Sequence, residues 1–103
     1  MKYLEKSIVQ WHKETFPNAT IQAIIDKLNE ELHEAIDCLN DGNLQQMLEE
    51  VADVFIVACA LAGRKQIFEE NFSMYRVISD KMAINRGRAW GVELPNGDRP
   101  RIK

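Results

Sequence analysis

The sequence predicts an all-α protein, a bundle of four helices, and three observations carry that reading. Apolar residues recur at helical rather than alternating spacing over most of the chain. The turn-rich stretches "FPNAT" and "NDGN" fall between periodic segments. No segment shows the two-residue alternation of a half-buried strand. With 103 residues, 46% of them hydrophobic, the chain can build one modest core but not two. Residues 1–103 are therefore read as a single domain, with a helical core over about 2–90 and an extended tail over about 91–103.

The first helix is predicted over about residues 2–15, where Leu4, Ile8 and Trp11 stand at helical spacing. Pro17 disfavours helix at the residue before it and closes the segment. Thr20 is placed to cap a second helix over about 21–40. Its stripe of Ile21, Ile24, Ile25, Leu28, Leu32, Ile36 and Leu39 is expected to face the core. Asn43 and Gln46 form a variant capping box that opens a third helix, expected to run from about 44 to Ala62 and end at Gly63. A fourth helix is expected over roughly 66–88, with Ile67, Phe68, Phe72, Tyr75, Ile78 and Met82 as its apolar positions and an interruption possible in its middle. After Trp90, "GVELPNGDRPRIK" carries Gly, Pro and charge without periodicity and reads as tail.

Composition excludes several classes. A net charge of −3 argues against a general binder of nucleic-acid polymers. No apolar run approaches the roughly 18 residues of a membrane span, and the N-terminal stretch lacks an uninterrupted apolar region of the secretory kind. Cys38 and Cys59 sit inside apolar helical patterns, as reduced thiols packing like small hydrophobes do. The expectation is a soluble cytoplasmic protein with neither a membrane nor a nucleic-acid polymer as partner.

Charge is nevertheless segregated. Residues 30–53 hold eight carboxylates (Glu30, Glu31, Glu34, Asp37, Asp41, Glu49, Glu50, Asp53) and no Lys or Arg, whereas Lys81, Arg86, Arg88, Arg99, Arg101 and Lys103 cluster near the C-terminus. Asp53 is the informative residue: "VADVFIVACALA" is otherwise apolar all round, so this helix is expected to be buried on most sides, in the bundle or a subunit interface. A carboxylate there needs a partner. Glu50 precedes Asp53 by three residues, and Glu31 and Glu34 form an equivalent pair on the second helix. A short loop makes the two helices antiparallel neighbours, so the pairs can face each other. At an effective dielectric near ~20 and about 5 Å, each like-charge pair costs about 3 kcal/mol, which demands protons or cations. All-oxygen ligation suits Mg²⁺, with Mn²⁺ also acceptable; Zn²⁺ favours His or Cys.

Acidic residues at three- and four-residue spacing also occur on plain solvated faces. That reading suits Glu30, Asp37, Asp41 and Glu49, but not an Asp among apolar neighbours. A di-iron bundle requires two Glu-x-x-His motifs; Glu30 and His33 supply one, while His12 has Val9 three residues before it.

Glu31-x-x-Glu34 in "EELHE", followed after a short connection by Glu50-x-x-Asp53 in "EEVAD", resembles the signature of the MazG-like all-α nucleoside triphosphate pyrophosphohydrolases. "KMAINRGRAW" resembles the Lys, Asn and Arg pattern of that family's last helix, and the resemblance extends from about Val9 to Trp90. "VQWHKETFPNAT" ahead of "KLNEELHE" is most similar to the small bacterial and phage branch associated with dATP and dGTP diphosphohydrolase activity. The resemblance implies hydrolysis of a triphosphate to monophosphate and pyrophosphate, with Mg²⁺ held by Glu31, Glu34, Glu50 and Asp53. Glu31 or Glu34 is then the candidate base. Lys81, Asn85 and Arg88, at i, i+4 and i+7, can hold the β- and γ-phosphates. Lys27, four residues before Glu31, pairs with it or touches phosphate. Trp11 stacks on a base or packs in the core.

Four short helices with so apolar a third one leave that helix under-covered in a single chain, so a homodimer or tetramer is expected. The rival functional readings are a non-catalytic metal- or nucleotide-binding regulatory module and a helical oligomerisation module with an acidic face.

Overall fold

The computed structural model describes residues 2–65 and 73–102. Four helices follow in order: α1 (Lys2–Thr15), α2 (Ile21–Asn40), α3 (Leu44–Lys65) and α4 (Met74–Gly87). Helix α3 is the hub. It packs most extensively against α2 and also against α1, and α4 rests on α1.

Local signals start and stop these helices as the sequence indicates. Thr20 Oγ1 accepts the Ala23 amide at 3.1 Å at the start of α2. Asn43 Oδ1 accepts the Gln46 amide at 3.2 Å while its Nδ2 donates to Gln46 Oε1 at 3.0 Å, closing the capping box of α3. Between them Gly42, at φ +75°, takes the left-handed conformation that ends α2. Its amide and that of Asn43 reach back to Leu39 O and Cys38 O.

Helix α3 does not stop at Gly63 but continues to Lys65. Gly63 is a packing residue instead. A Cβ built there would lie 2.6 and 2.7 Å from the two γ-methyls of buried Val9, so the missing side chain is what lets α1 and α3 approach. Gly63→Ala is expected to cost about 1–3 kcal/mol in overpacking against about 1 kcal/mol regained in helix propensity. Adding Val9→Ala should relieve the packing part. Urea unfolding of the four chains measures the coupling, and strict additivity would contradict the contact.

Helix α1 buries a face one residue round from the one its apolar spacing predicts. Glu5, Val9 and His12 are buried, whereas Leu4 and Trp11 are exposed. Each buried residue meets a particular partner: Glu5 the start of α4, Val9 the backbone at Gly63, and His12 the guanidinium of Arg64. Arg64 Nη2 approaches His12 Nδ1 at 3.1 Å and donates to Phe16 O at 2.8 Å, and Nη1 donates to Pro17 O at 3.3 Å. One side chain of α3 thereby pins the α1–α2 turn. Burial, reinforced by the Arg64 charge, holds the His12 pKa below its ordinary value, which suits a neutral ring accepting at Nδ1.

Helix α2 likewise divides its predicted stripe. Ile24, Glu31 and Ala35 are buried towards α3, while Leu32, Ile36 and Leu39 stay exposed. Helix α3 is buried on one side only: Ala60 and Cys59 are covered, but Phe55 is 67% exposed and Leu48 58%. The radius of gyration is 16.4 Å, against about 13 Å for a compact chain of this length.

Helix α4 begins at Met74 behind an N-cap by Ser73, whose Oγ accepts the Arg76 amide at 3.3 Å. Ile67, Phe68 and Phe72 lie outside the described residues. Tyr75, Ile78 and Met82 are exposed, and no residue of α4 is buried. Beyond Arg88 the tail doubles back on itself. Gly91 N donates to Pro100 O at 2.6 Å, Ile102 N to Ala89 O at 2.9 Å and Leu94 N to Asp98 O at 2.7 Å, with Gly97 at φ +88° in the turn. Trp90 and Arg101 form a single antiparallel bridge. Among the described residues, no helix is long and apolar enough to cross a membrane.

Candidate active site

The seam between α2 and α3 collects the carboxylates. Glu31 from α2 and Glu50 and Asp53 from α3 each present an oxygen within 4.8 Å of the others. Glu34, one turn beyond Glu31, interacts with both Glu31 and Glu50. Four anions from two helices converge because a three-residue step keeps each pair on one face and the capped turn at Gly42 and Asn43 folds the faces together.

Burial is graded across the group: Glu31 is buried, Glu34 and Glu50 are half-buried, and Asp53 is exposed. The expectation of a buried Asp53 is thus not met within the single chain. The apolar surface round it, Ala52 and Phe55 included, is open as well. Asp53 stands at the mouth of the seam, with Glu31 at its floor.

The electrostatics follow from this crowding. Burial first, then Glu34 and Glu31, pushes the Glu50 carboxyl up to about 7. Burial also opposes ionisation of Glu31, but the hydrogen bond and charge of Lys27, with contributions from Glu34 and Glu50, bring it below the ordinary value. Lys27 Nζ lies 3.0 Å from Glu31 Oε1 and 3.8 Å from Glu30 Oε2. The hydrogen bond to Glu31, with the surrounding carboxylates, raises the Lys27 pKa. Burial and then Glu50 also raise the thiol of nearby Cys38.

One ammonium does not satisfy the site. Glu31 Oε2 and Glu50 Oε2 are shut off from solvent with no hydrogen-bond partner. Both are acceptors, so they call for a donor, a proton or a cation. An all-oxygen donor set with inward-facing orphan acceptors fits a hard divalent cation.

The other predicted site residues lie elsewhere. Lys81 and Asn85 are on α4, which packs on α1 rather than in the α2–α3 seam. Arg88 has left the helix, at φ −80° and ψ 149°, and its Nη1 donates to Asn85 Oδ1 at 3.0 Å. The three do not form one helical face. Among the described residues no hydrogen bond or ion pair joins them to the carboxylates. Trp11 is half-exposed on α1, edge-on to Phe16 with ring centroids 5.9 Å apart, and lines an open cavity of about 410 Å³ with Tyr3, Lys6, Ser7, Gln10 and Glu14. Sequence reasoning missed Glu5 and Arg64. Neither has a sequence signal, because their partners lie 68 to 70 and 47 to 52 residues away.

The MazG nucleotide pyrophosphohydrolase domain matches residues 19–89, which hold both acidic pairs. The chain belongs to the MazG family. It is an enzyme of the nucleotide pyrophosphohydrolase type. A solved structure of a cyanophage S-2L MazG-like pyrophosphohydrolase, bound to dGDP and three catalytic Mn²⁺ ions per active site, superposes with a TM-score of 0.66. It is 32% identical, over 98% of this chain and 95% of that one. A search of curated proteins gives no match. The MazG match begins after α1, so Glu5 and Trp11 lie outside it.

Proposed function

We propose that this MazG protein hydrolyses nucleoside triphosphates, dATP and dGTP foremost, to monophosphate and pyrophosphate, and so serves nucleotide-pool control in the cytoplasm. Mg²⁺ or Mn²⁺ is held by Glu31, Glu34, Glu50 and Asp53. The observation that carries this reading is the pair of orphaned acceptors, Glu31 Oε2 and Glu50 Oε2, inside the cluster of Glu31, Glu50 and Asp53 that Glu34 adjoins. The deoxynucleotide preference draws support from the dGDP of the cyanophage relative. When bound, divalent ions would offset the charge of carboxylates and triphosphate and favour attack of water at the α-phosphorus.

The chain's own groups supply the rest. Glu34 is the better base of the two candidates, since Glu31 is buried and tied to Lys27. Lys27, paired with Glu31 beside the carboxylates, supplies an ammonium for a phosphate oxygen. Lys81 and Asn85 on α4, with Arg88 directly after its end, supply the cationic and hydrogen-bonding groups for the β- and γ-phosphates. The half-exposed Trp11 ring beside its cavity offers a platform for the base.

The same reading includes assembly into a homodimer or tetramer. Leu32, Ile36 and Leu39 on α2, and Leu48 and Phe55 on α3, are exposed at three-, four- and seven-residue spacings, leaving apolar surface of the α2–α3 hairpin uncovered.

The test is product analysis with a panel of ribo- and deoxyribonucleoside triphosphates in ¹⁸O-water, with light scattering on the same sample. Label in the monophosphate, pyrophosphate release, fastest turnover of dATP and dGTP, and a mass of about two or four times 11.9 kDa are expected. Release of single phosphates would overturn the reaction; a fully active monomer would overturn the assembly.

A further inference from the structure

Helix α4 and the Arg88 that follows it carry the groups assigned above to phosphate, yet α4 has no buried residue of its own. Its position therefore depends on how its ends are held. At the C-terminal end the Trp90 indole donates to Asn85 O at 3.1 Å, a contact within the same segment. At the N-terminal end the hold comes from another helix. The Glu5 carboxylate accepts from Ser73 Oγ at 3.2 Å and the Met74 amide at 3.0 Å through Oε2, and from the Tyr75 amide through Oε1. These amides belong to the first turn, whose N–H groups have no partners within the helix. A carboxylate there gains both charge-assisted hydrogen bonds and the helix dipole. Glu5 is 7% exposed, so little water competes.

We propose that Glu5 is a positioning residue: by clamping the first turn of α4 to α1, it sets where Lys81, Asn85 and Arg88 meet the triphosphate. This rests on the phosphate-binding reading of α4. Glu5 touches no substrate; it acts through the helix it holds. Glutamine in its place keeps the shape but turns one acceptor into a donor facing N–H groups, which opens the clamp.

The experiment compares the parent protein, Glu5→Gln and the milder Ser73→Ala, each alone and combined with Lys81→Ala/Arg88→Ala. Amide hydrogen exchange, affinity for a non-hydrolysable triphosphate analogue, and affinity for Mn²⁺ alone are measured. For Glu5→Gln, exchange at residues 74–77 should quicken and the analogue should bind about tenfold more weakly, equivalent to about 1.4 kcal/mol, with Mn²⁺ affinity unchanged. Ser73→Ala should show the same pattern at smaller size. In the Lys81→Ala/Arg88→Ala background, Glu5→Gln should weaken the analogue by much less than in the parent, since only Asn85 is left to position. Unchanged exchange in both variants would overturn the clamp. Quickened exchange with unchanged analogue affinity, or equal loss of Mn²⁺ and analogue binding, would overturn the positioning role. If Lys81→Ala/Arg88→Ala itself leaves analogue binding intact, the phosphate role of α4 fails and the positioning role with it, while exchange alone still reports the clamp.

Discussion

Asp53→Asn and Glu50→Gln are each expected to lower kcat/KM for the best triphosphate at least about a hundredfold, because loss even of a group supporting a metal ligand costs about 10–100-fold. Both replacements are near-isosteric, and neither residue has a cationic partner among the described residues, so no ion pair is broken. Removing an ionisable group from a cluster of four carboxyls relieves their mutual repulsion. The helical circular-dichroism signal and the metal-free melting temperature should therefore be kept or raised. Glu49→Gln and Asp37→Asn, exposed carboxylates outside the cluster, provide the comparison and should keep near-parental turnover. Steady-state kinetics and melting of the four variants check the point. Unfolding of Asp53→Asn would indicate a structural carboxylate; full activity would remove Asp53 from the centre.

The second large effect concerns metal and pH together. Without metal, Glu50 holds its proton up to about 7 in the fold, against a reference value of 4.5. Between those values the folded state binds more protons than the unfolded one, so this residue's stabilisation is complete below about 4.5 and is lost as pH rises through 7. Divalent ions reverse the penalty, because they take the place of that proton. At pH 7.5, where His12 is neutral, Mn²⁺ at a hundredfold excess over its Kd should raise the melting temperature by about 10 °C or more. At pH 5.5 the gain should shrink, and calorimetry there should show proton release on binding. Glu50→Gln should flatten the pH dependence and abolish the proton release. An equal rise in parent and Glu50→Gln at both pH values would place the ions elsewhere.

The helices and the carboxylate pairs were legible because they are encoded locally. Caps at Thr20 and Asn43 and the three-residue spacing of the acids are properties of a few neighbouring residues, and they reappear in the structure with their hydrogen bonds. What could not be read is which face each helix turns inward. The apolar spacing of α1 pointed to Leu4, Ile8 and Trp11, but the buried set is Glu5, Val9 and His12, decided by an incoming helix end, a glycine notch and an arginine from distant sequence. Gly63 looked like a stop because glycine commonly ends helices; here its value is the space it leaves. Asp53 looked buried because its neighbours are apolar, yet one chain leaves that side of α3 open. The tail read as extended because "GVELPNGDRPRIK" lacks apolar alternation, whereas its reversal rests on Gly97 and on backbone hydrogen bonds across the turn.

The most direct measurement is anomalous diffraction at the manganese edge from crystals of the protein grown with Mn²⁺. Anomalous peaks within coordination distance of carboxylate oxygens from Glu31, Glu34, Glu50 and Asp53, absent in Glu50→Gln crystals, are the expected result. Manganese bound only elsewhere, with Lys27 still paired to Glu31, would contradict the assignment of the α2–α3 seam as the metal centre.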